Sequence, residues 1–206
     1  MKGGPTVEFS ILYFLQDMNH PFLDPIMIGV STLGNSGMIW IVLTIFMLFV
    51  RKYRESAFAM IIALLLSLLI CNLALKNIVQ RDRPFWIDPT VILKIDEPSE
   101  FSFPSGHTFS SFAAAVTLYL FHRKIGFAAI VLAIMIAFSR LYLFVHFPTD
   151  VLASVVLGSV TAVIAVRTVQ KYIRPVILKA GFIPVSVEVT TEGENYEIRN
   201  DETDRK

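Results

Sequence analysis

The chain has 206 residues, a length that a single domain fills, with 54% hydrophobic residues, only 17% charged residues and a mean hydropathy of +0.62. Soluble domains carry roughly 25% charged residues, so this composition excludes an ordinary water-soluble globule and calls for a lipid environment. A net charge of +1 gives no global field to recruit nucleic acid or another polyanion, and the single cysteine, Cys71, excludes an intrachain disulfide.

The first residues, Met1 to Pro5, carry one lysine and lead to no short apolar core with a small-residue cleavage site, so no removable leader is expected. Val7 to Met18 is apolar with Glu8 and Asp17 near its ends, which suits an amphipathic helix lying in the interface; a full span is the alternative. Ile26 to Val50 is uncharged but interrupted by Gly34-Asn35-Ser36-Gly37, so the pattern predicts a short helix before the break and a membrane span over about Met38 to Val50. Ser56 to Leu75 is uncharged and rich in Leu and Ile, about the 20 residues a hydrocarbon core requires. Cys71 lies in this run and reads as a small buried hydrophobe. Three shorter runs, Thr108 to Phe121, Ile125 to Ser139 and Val151 to Val166, each extend into flanking polar residues. Polar residues at membrane helix ends are often functional. From Ser186 to Lys206 the chain has seven acidic and three basic residues and little to bury, so a disordered tail is expected.

This predicts an all-α, polytopic membrane helix bundle of about five to six transmembrane helices with an N-terminal interfacial helix. Three regions follow: residues 1–36, short N-terminal helices; 37–172, the transmembrane core; and 173–206, an acidic tail. Basic residues set the orientation. Arg51, Lys52 and Arg54, then His122, Arg123 and Lys124, then Arg167, Lys171 and Arg174 fall on one side, which is read as cytoplasmic together with the tail. The opposite side also carries cations, among them Lys76, Arg81, Arg83, Lys94 and Arg140, where they need another reason, and an anionic ligand supplies one.

On that opposite side three polar clusters stand at the ends of apolar runs. Lys76 and Arg83 are seven residues apart, two helical turns, which places them near one helix face, with Pro84 ending the segment. Pro104-Ser105-Gly106-His107 opens the next run, with Ser105 suited to the N-cap and Gly106 to close approach by a ligand at a helix N-terminus. Ser139-Arg140, His146 and Asp150 join the last two runs. Each cluster alone is an interfacial anchor or a turn. Together they bring three cations, backbone donors, two histidines and a carboxylate to one membrane face, the inventory of phosphoryl transfer.

The spacings Lys76-x6-Arg83-Pro84, Pro104-Ser105-Gly106-His107 and Ser139-Arg140-x5-His146-x3-Asp150, in that order, resemble the three signatures of the type 2 phosphatidic acid phosphatase family, whose core is similar to that of vanadium-dependent haloperoxidases. The resemblance runs from about residue 35 to 172. It implies His146 as nucleophile forming a phosphohistidine, Asp150 on the other ring nitrogen, and His107 as the acid for the leaving group. It also implies Lys76, Arg83, Arg140, Ser105 and Gly106 as the phosphate cradle, with no metal and no cofactor. The family often has a small residue where this chain has Phe144, whose bulk is expected either to narrow the pocket or to face lipid. His20 and His122 match no family position and read as structural.

The small bacterial members of that family suggest undecaprenyl diphosphate as substrate at an extracytoplasmic site in the plasma membrane. Phosphatidylglycerophosphate and phosphatidate are the alternatives. Transfer to an acceptor other than water, or non-catalytic binding of anionic lipid, are the rival functions. The loop with Trp86, Asp88 and Glu97 to Phe103 reads either as a lid or as an ordinary interfacial loop.

Overall fold

The helices follow the apolar runs, and their breaks decide where polar side chains gather. The computed structural model describes residues 7–182. Helix α1 (Val7–Asp17) turns Leu12 and Leu15 inward. Its 11 residues make about 16 Å of helix, too short for a hydrocarbon core of about 30 Å.

Helices α2 (Leu23–Leu33) and α3 (Met38–Phe49) are joined by a tight turn, Asn35–Gly37, and bent by 47°. Ser36 and Gly37 take positive φ there, 52° and 66°. The expected span over Met38 to Val50 is therefore only part of the element. The 12-residue α3 is about 18 Å long, and the bent pair together has the length and apolarity of one broken span.

Helix α4 (Arg54–Ser67) continues through a π-helical stretch, Leu68–Leu75, into α5 (Lys76–Val79). Such wider turns recur at functional sites because they re-aim the side chains that follow. Gln80, at φ 49°, stops the helix. Arg83 is extended, as a residue before proline prefers, and Pro84 opens the short α6 (Pro84–Ile87). Lys76 and Arg83 thus do not share a helix face. The helix ends four residues before Pro84 can act.

Helix α7 (Gly106–Phe121) is the central element, packed against α4, α8 (Arg123–Tyr142) and α9 (Pro148–Thr168). Small residues allow the close approach: Ala113, Ala114 and Ala115 are fully buried, and a Cβ on Gly158 would lie 2.6 Å from the Phe109 carbonyl oxygen. After α9 a π-helical stretch, Val169–Ile173, leads into α10 (Arg174–Lys179). The region 173–206, expected to be a largely disordered tail, thus begins with a helix, and its acidic stretch from Ser186 to Lys206 lies outside the described residues.

Among the described residues three helical segments are long and apolar enough to cross a membrane, within Arg51–Ile87, Arg123–Tyr142 and Pro148–Lys179, and counting the bent α2–α3 pair as one broken span rather than a re-entrant loop gives four. The 16-residue α7 is enclosed by its neighbours.

The basic clusters meet at one end of the bundle. Ser56 Oγ lies 3.1 Å from His122 Nε2, the Tyr53 and His122 rings meet edge to face, and Arg174 faces Glu55 at 3.8 Å. His122 is thus structural, as expected, and so is His20, whose Nδ1 accepts the Phe22 N–H. Cys71 is buried in the α4 extension.

Candidate active site

At the other end, three chain breaks converge: the segment 80–83 after α5, the turn into α7, and the turn 143–147 between α8 and α9. They bring Lys76, Arg83, Gly106, His107, Arg140 and His146 to the wall of one cavity of about 1050 Å3. These residues are spread over 71 positions of sequence, and the cavity gathers them as the motif spacing implied.

His146 is almost fully buried, and burial pushes its imidazole pKa well below the ordinary histidine range, so it is held neutral. Its Nε2 lies 3.4 Å from Arg83 Nη1. Its Nδ1 faces Asp150 Oδ2 at 3.7 Å, beyond hydrogen-bond length, and Ser102 Oγ lies 3.5 Å from that same nitrogen. The Ser102 hydroxyl donates to Asp150 Oδ2 at 2.5 Å, and the Phe147 N–H donates to it at 2.9 Å. Asp150 is therefore the fully buried anchor of the turn carrying His146, with Ser102 as intermediary. No motif or periodicity in the sequence singles out Ser102.

Arg83 is fixed by backbone carbonyls: Nε donates to Glu100 O at 2.5 Å and Nη1 to Val145 O at 2.7 Å. A buried guanidinium satisfied by carbonyls keeps its positive charge unneutralised. Arg140 donates through Nη1 to Ser31 Oγ, while its buried Nε has no hydrogen-bond partner among the described residues. A buried, unpaired N–H is a donor that an anion's oxygen can complete. Lys76 is buried and paired with Glu100, an exposed carboxylate of the 97–103 segment. The Lys76 hydrogen bond holds the Glu100 carboxyl below its usual range against the opposing effect of burial.

The segment 97–103 is neither free nor merely interfacial. It supplies the carbonyls on Arg83, the carboxylate on Lys76 and the hydroxyl on Asp150. Trp86 packs edge-on against Phe101 and braces it from α6.

His107, in the first turn of α7, has its Nε2 2.8 Å from Asn35 Oδ1 in the α2–α3 turn. Gly34 permits this approach, since a Cβ there would lie 2.9 Å from His107 Cδ2. Gly106 lines the cavity next to Lys76, where a Cβ would be 3.9 Å from Nζ. Ser105 occupies the N-cap position of α7, but its side chain makes no cap bond. It is fully buried, its Oγ accepts from Thr108 Oγ1 at 3.1 Å, and it lies behind the cavity wall, not on it. Phe144 neither narrows the cavity nor faces lipid. At φ 60° it is fully buried against the α1 rings of Phe9 and Tyr13. A small residue suits that left-handed backbone; here the cost is offset by packing.

Away from the polar end the cavity continues between α3 and α4, lined by Ile41, Ile45, Leu48, Ile61, Leu64, Leu65 and Leu68. Ile45 and Leu65 are half exposed on its rim. Cations, histidines and carbonyl-fixed arginine at one end and an aliphatic side groove make a site for an amphiphile with a phosphorylated head. Among the described residues no three His, Cys, Asp or Glu side chains group as metal ligands would.

Comparison with known proteins agrees with this chemistry. Residues 56–174 match the PAP2 superfamily. An undecaprenyl-diphosphatase of Sulfolobus acidocaldarius is 30% identical over 169 residues, covering 80% of this chain and 81% of that protein. The crystal structure of Aquifex aeolicus LpxE superposes with a TM-score of 0.69 at 28% identity, over 79% of this chain and 96% of that one. That of a transmembrane PAP2-type phosphatidylglycerolphosphate phosphatase from Bacillus subtilis gives 0.65 at 26% identity, over 79% and 84%.

Proposed function

The chain belongs to the PAP2 superfamily and is a membrane lipid phosphatase, and on that premise we propose that it cleaves the terminal phosphate of undecaprenyl diphosphate through a phosphohistidine on His146. The observation that carries this reading is one cavity whose polar end holds His146, His107, Arg83, Arg140 and Lys76 and whose other end is an aliphatic groove with Ile45 and Leu65 half exposed on its rim.

In the proposed reaction the neutral Nε2 of His146 attacks phosphorus. The N–P bond forms as the bond to the lipid-phosphate oxygen breaks. Arg83, beside Nε2, and the unpaired Nε of Arg140 take the charge that develops on the phosphoryl oxygens. Lys76 and the Gly106 end of α7 complete the cradle. His107 gives its proton to the leaving oxygen, then takes one from water as that water attacks phosphorus and the N–P bond breaks, releasing phosphate. Asp150 holds the turn and stabilises the charged imidazole during transfer. The charge is carried by arginine and lysine throughout, and the reaction is proposed to be independent of metal.

The aliphatic groove between α3 and α4 accepts the tail, so the reacting head enters from the bilayer side. The undecaprenyl-diphosphatase of Sulfolobus acidocaldarius supports a polyprenyl chain as that tail. The Bacillus subtilis neighbour favours phosphatidylglycerophosphate as the second reading. The proposed orientation puts the site on the extracytoplasmic face of the plasma membrane, a reading supported by the basic clusters at the opposite end of the bundle, with α1 in the interface and five spans: the bent α2–α3 pair, α4, α7, α8 and α9.

The test is release of phosphate by purified protein in detergent from undecaprenyl diphosphate, phosphatidylglycerophosphate and phosphatidate, side by side with H146A. Fastest turnover on the diphosphate and none in H146A is expected. Turnover that survives in H146A removes the mechanism, and faster turnover on either glycerolipid transfers the assignment to that lipid.

A further inference from the structure

The segment before α6 carries an arginine that the phosphate cradle does not use. Arg81 Nη1 donates to Asp150 Oδ1 at 2.6 Å and to Thr149 Oγ1 at 2.7 Å, and its Nη2 donates to Glu8 Oε2 at 2.6 Å. Its guanidinium carbon stands 4.0 Å over the ring of Phe147. Glu8 lies in α1, outside the residues that match the family, 56–174. Its other oxygen, Oε1, accepts from the Thr149 hydroxyl at 2.6 Å.

We propose that α1 is a working part of the catalytic centre: Glu8 holds Arg81 against Asp150, and Arg81 fixes the carboxylate that stands behind His146. The proposal rests on the assignment of His146 as nucleophile. Glu8 and Arg81 are positioning residues.

Asp150 has no exposed surface, so each oxygen needs donors. Oδ2 has Ser102 and the Phe147 N–H, and it is the oxygen that faces His146 Nδ1. Oδ1 has Arg81. Without Arg81, Oδ1 is left without its charged donor and only the two neutral donors on Oδ2 remain, so the carboxylate stays beside the imidazole but is held less tightly in orientation. A surface ion pair is worth little, but here the anion is buried and the cation is held on three sides, so the pair is fixed in one geometry.

α1 is braced for this task. Phe9 meets Phe147 edge-on at 5.4 Å, Tyr13 packs on Phe144 at 5.7 Å, and Gln16 Nε2 donates to the Tyr142 carbonyl at 2.9 Å. The helix therefore grips the 142–149 turn on both sides of His146. The left-handed backbone of Phe144 is maintained by the same packing.

Charge adds a second signature. The His146–Asp150 pair is faced by Arg83 from the segment before α6, Arg81 from the same segment, Arg140 from α8, Lys76 from α5 and His107 from α7, with Glu100 above Lys76 and Glu8 beyond Arg81. Removing Arg81 removes one cation from beside the pair. The charged imidazole is then favoured, and because attack needs the neutral form, the acid limb of kcat/KM moves to higher pH.

The experiment measures phosphate release from undecaprenyl diphosphate, phosphatidylglycerophosphate and phosphatidate in detergent by the full chain, R81Q, R81K, E8Q, the double variant E8Q/R81Q and H146A. R81Q is expected to lose on the order of thirty-fold in kcat, with KM changed less than about two-fold and the acid limb moved up. R81K is expected to keep the position of the limb and recover part of kcat, because it keeps charge without the fork. E8Q is expected to lose about five-fold, and the double variant to be no slower than R81Q, because Glu8 acts through Arg81. Rates for R81Q and E8Q within about two-fold of the unaltered chain, an unmoved acid limb, or losses that multiply in the double variant overturn the proposal. Turnover by H146A, or none of the three lipids hydrolysed by the unaltered chain, shows instead that the nucleophile assignment has failed, and the proposal falls with it.

Discussion

The imidazole Nε2 of His107 lies 2.8 Å from the side-chain oxygen of Asn35, so the first turn of the central helix is tied to the break in a different span. The break is not a connecting loop that happens to be near. Gly34 gives the space, and the positive φ of Ser36 and Gly37 turns the backbone that carries Asn35. N35A is expected to lower kcat about ten-fold while leaving the melting temperature within a few degrees, since one hydrogen bond of about 1 kcal/mol is lost. Phosphate release and thermal unfolding of the same preparation check it, and unaltered kcat refutes a role for the contact.

Gly34 should be less tolerant than its negative φ suggests. An added Cβ meets His107 Cδ2 at 2.9 Å and Ile136 Cγ2 at 2.8 Å, and neither is a mobile chain end. G34A is expected to be slower than N35A, because it moves the ring as well as its partner. At the far side of α7, G158A places a Cβ 2.6 Å from the Phe109 carbonyl oxygen. It is expected to destabilise the fold by about 1–3 kcal/mol, lowering the melting temperature in detergent.

Glu100 occupies the buried ammonium of Lys76, one of the cations proposed for the phosphate cradle. A substrate phosphate competes with that carboxylate, so E100Q is expected to lower KM several-fold with little change in kcat. A rise in KM would show that Glu100 helps to bind substrate.

The Lys76 hydrogen bond holds the Glu100 carboxyl below its ordinary range, so its stabilising contribution is fully present above the unfolded value of about 4.3. That contribution disappears as pH falls through the lower folded value. The melting-temperature difference between the unaltered chain and E100Q should hold from pH 8 to about 5 and shrink below.

With charge supplied by Lys76, Arg83 and Arg140, chelation by EDTA should leave phosphate release unchanged, whereas vanadate should inhibit as a phosphate mimic. Loss in EDTA that a divalent ion restores would count against the metal-independent reaction. Orientation is checked in a C71A background: an impermeant thiol reagent added to intact cells should label E97C at the active-site end and spare K52C at the basic end.

The residues that line the cavity are more legible in the sequence than their geometry. Lys76, Arg83, His107, Arg140 and His146 are legible as one group because polar residues at the ends of apolar runs stand out and their spacing matches the family's motifs, and all five line the cavity. Their gathering at one cavity follows from alternate spans returning to one face. What was hidden depended on backbone breaks. Gln80 stops a helix that the Lys76–Arg83 spacing implied would continue, since local turn geometry has no apolar periodicity to announce it. Ser105 was placed correctly at a helix start, but its hydroxyl turned to Thr108. Ser102, Asn35, Arg81 and Glu8 make their contacts across 48 to 141 residues of chain. No periodic pattern reports such pairs. Phe144 was read for its volume, whereas its conformation and its neighbours in α1 explain it.

The opening between α3 and α4 changes what concentration means for this protein. A lipid that reaches the histidines through that gap never leaves the two-dimensional phase, and neither does its dephosphorylated product. Turnover should therefore track the mole fraction of substrate within the micelle or bilayer. Diluting the surface with inert lipid at constant bulk amount should slow the reaction just as lowering the substrate does in water.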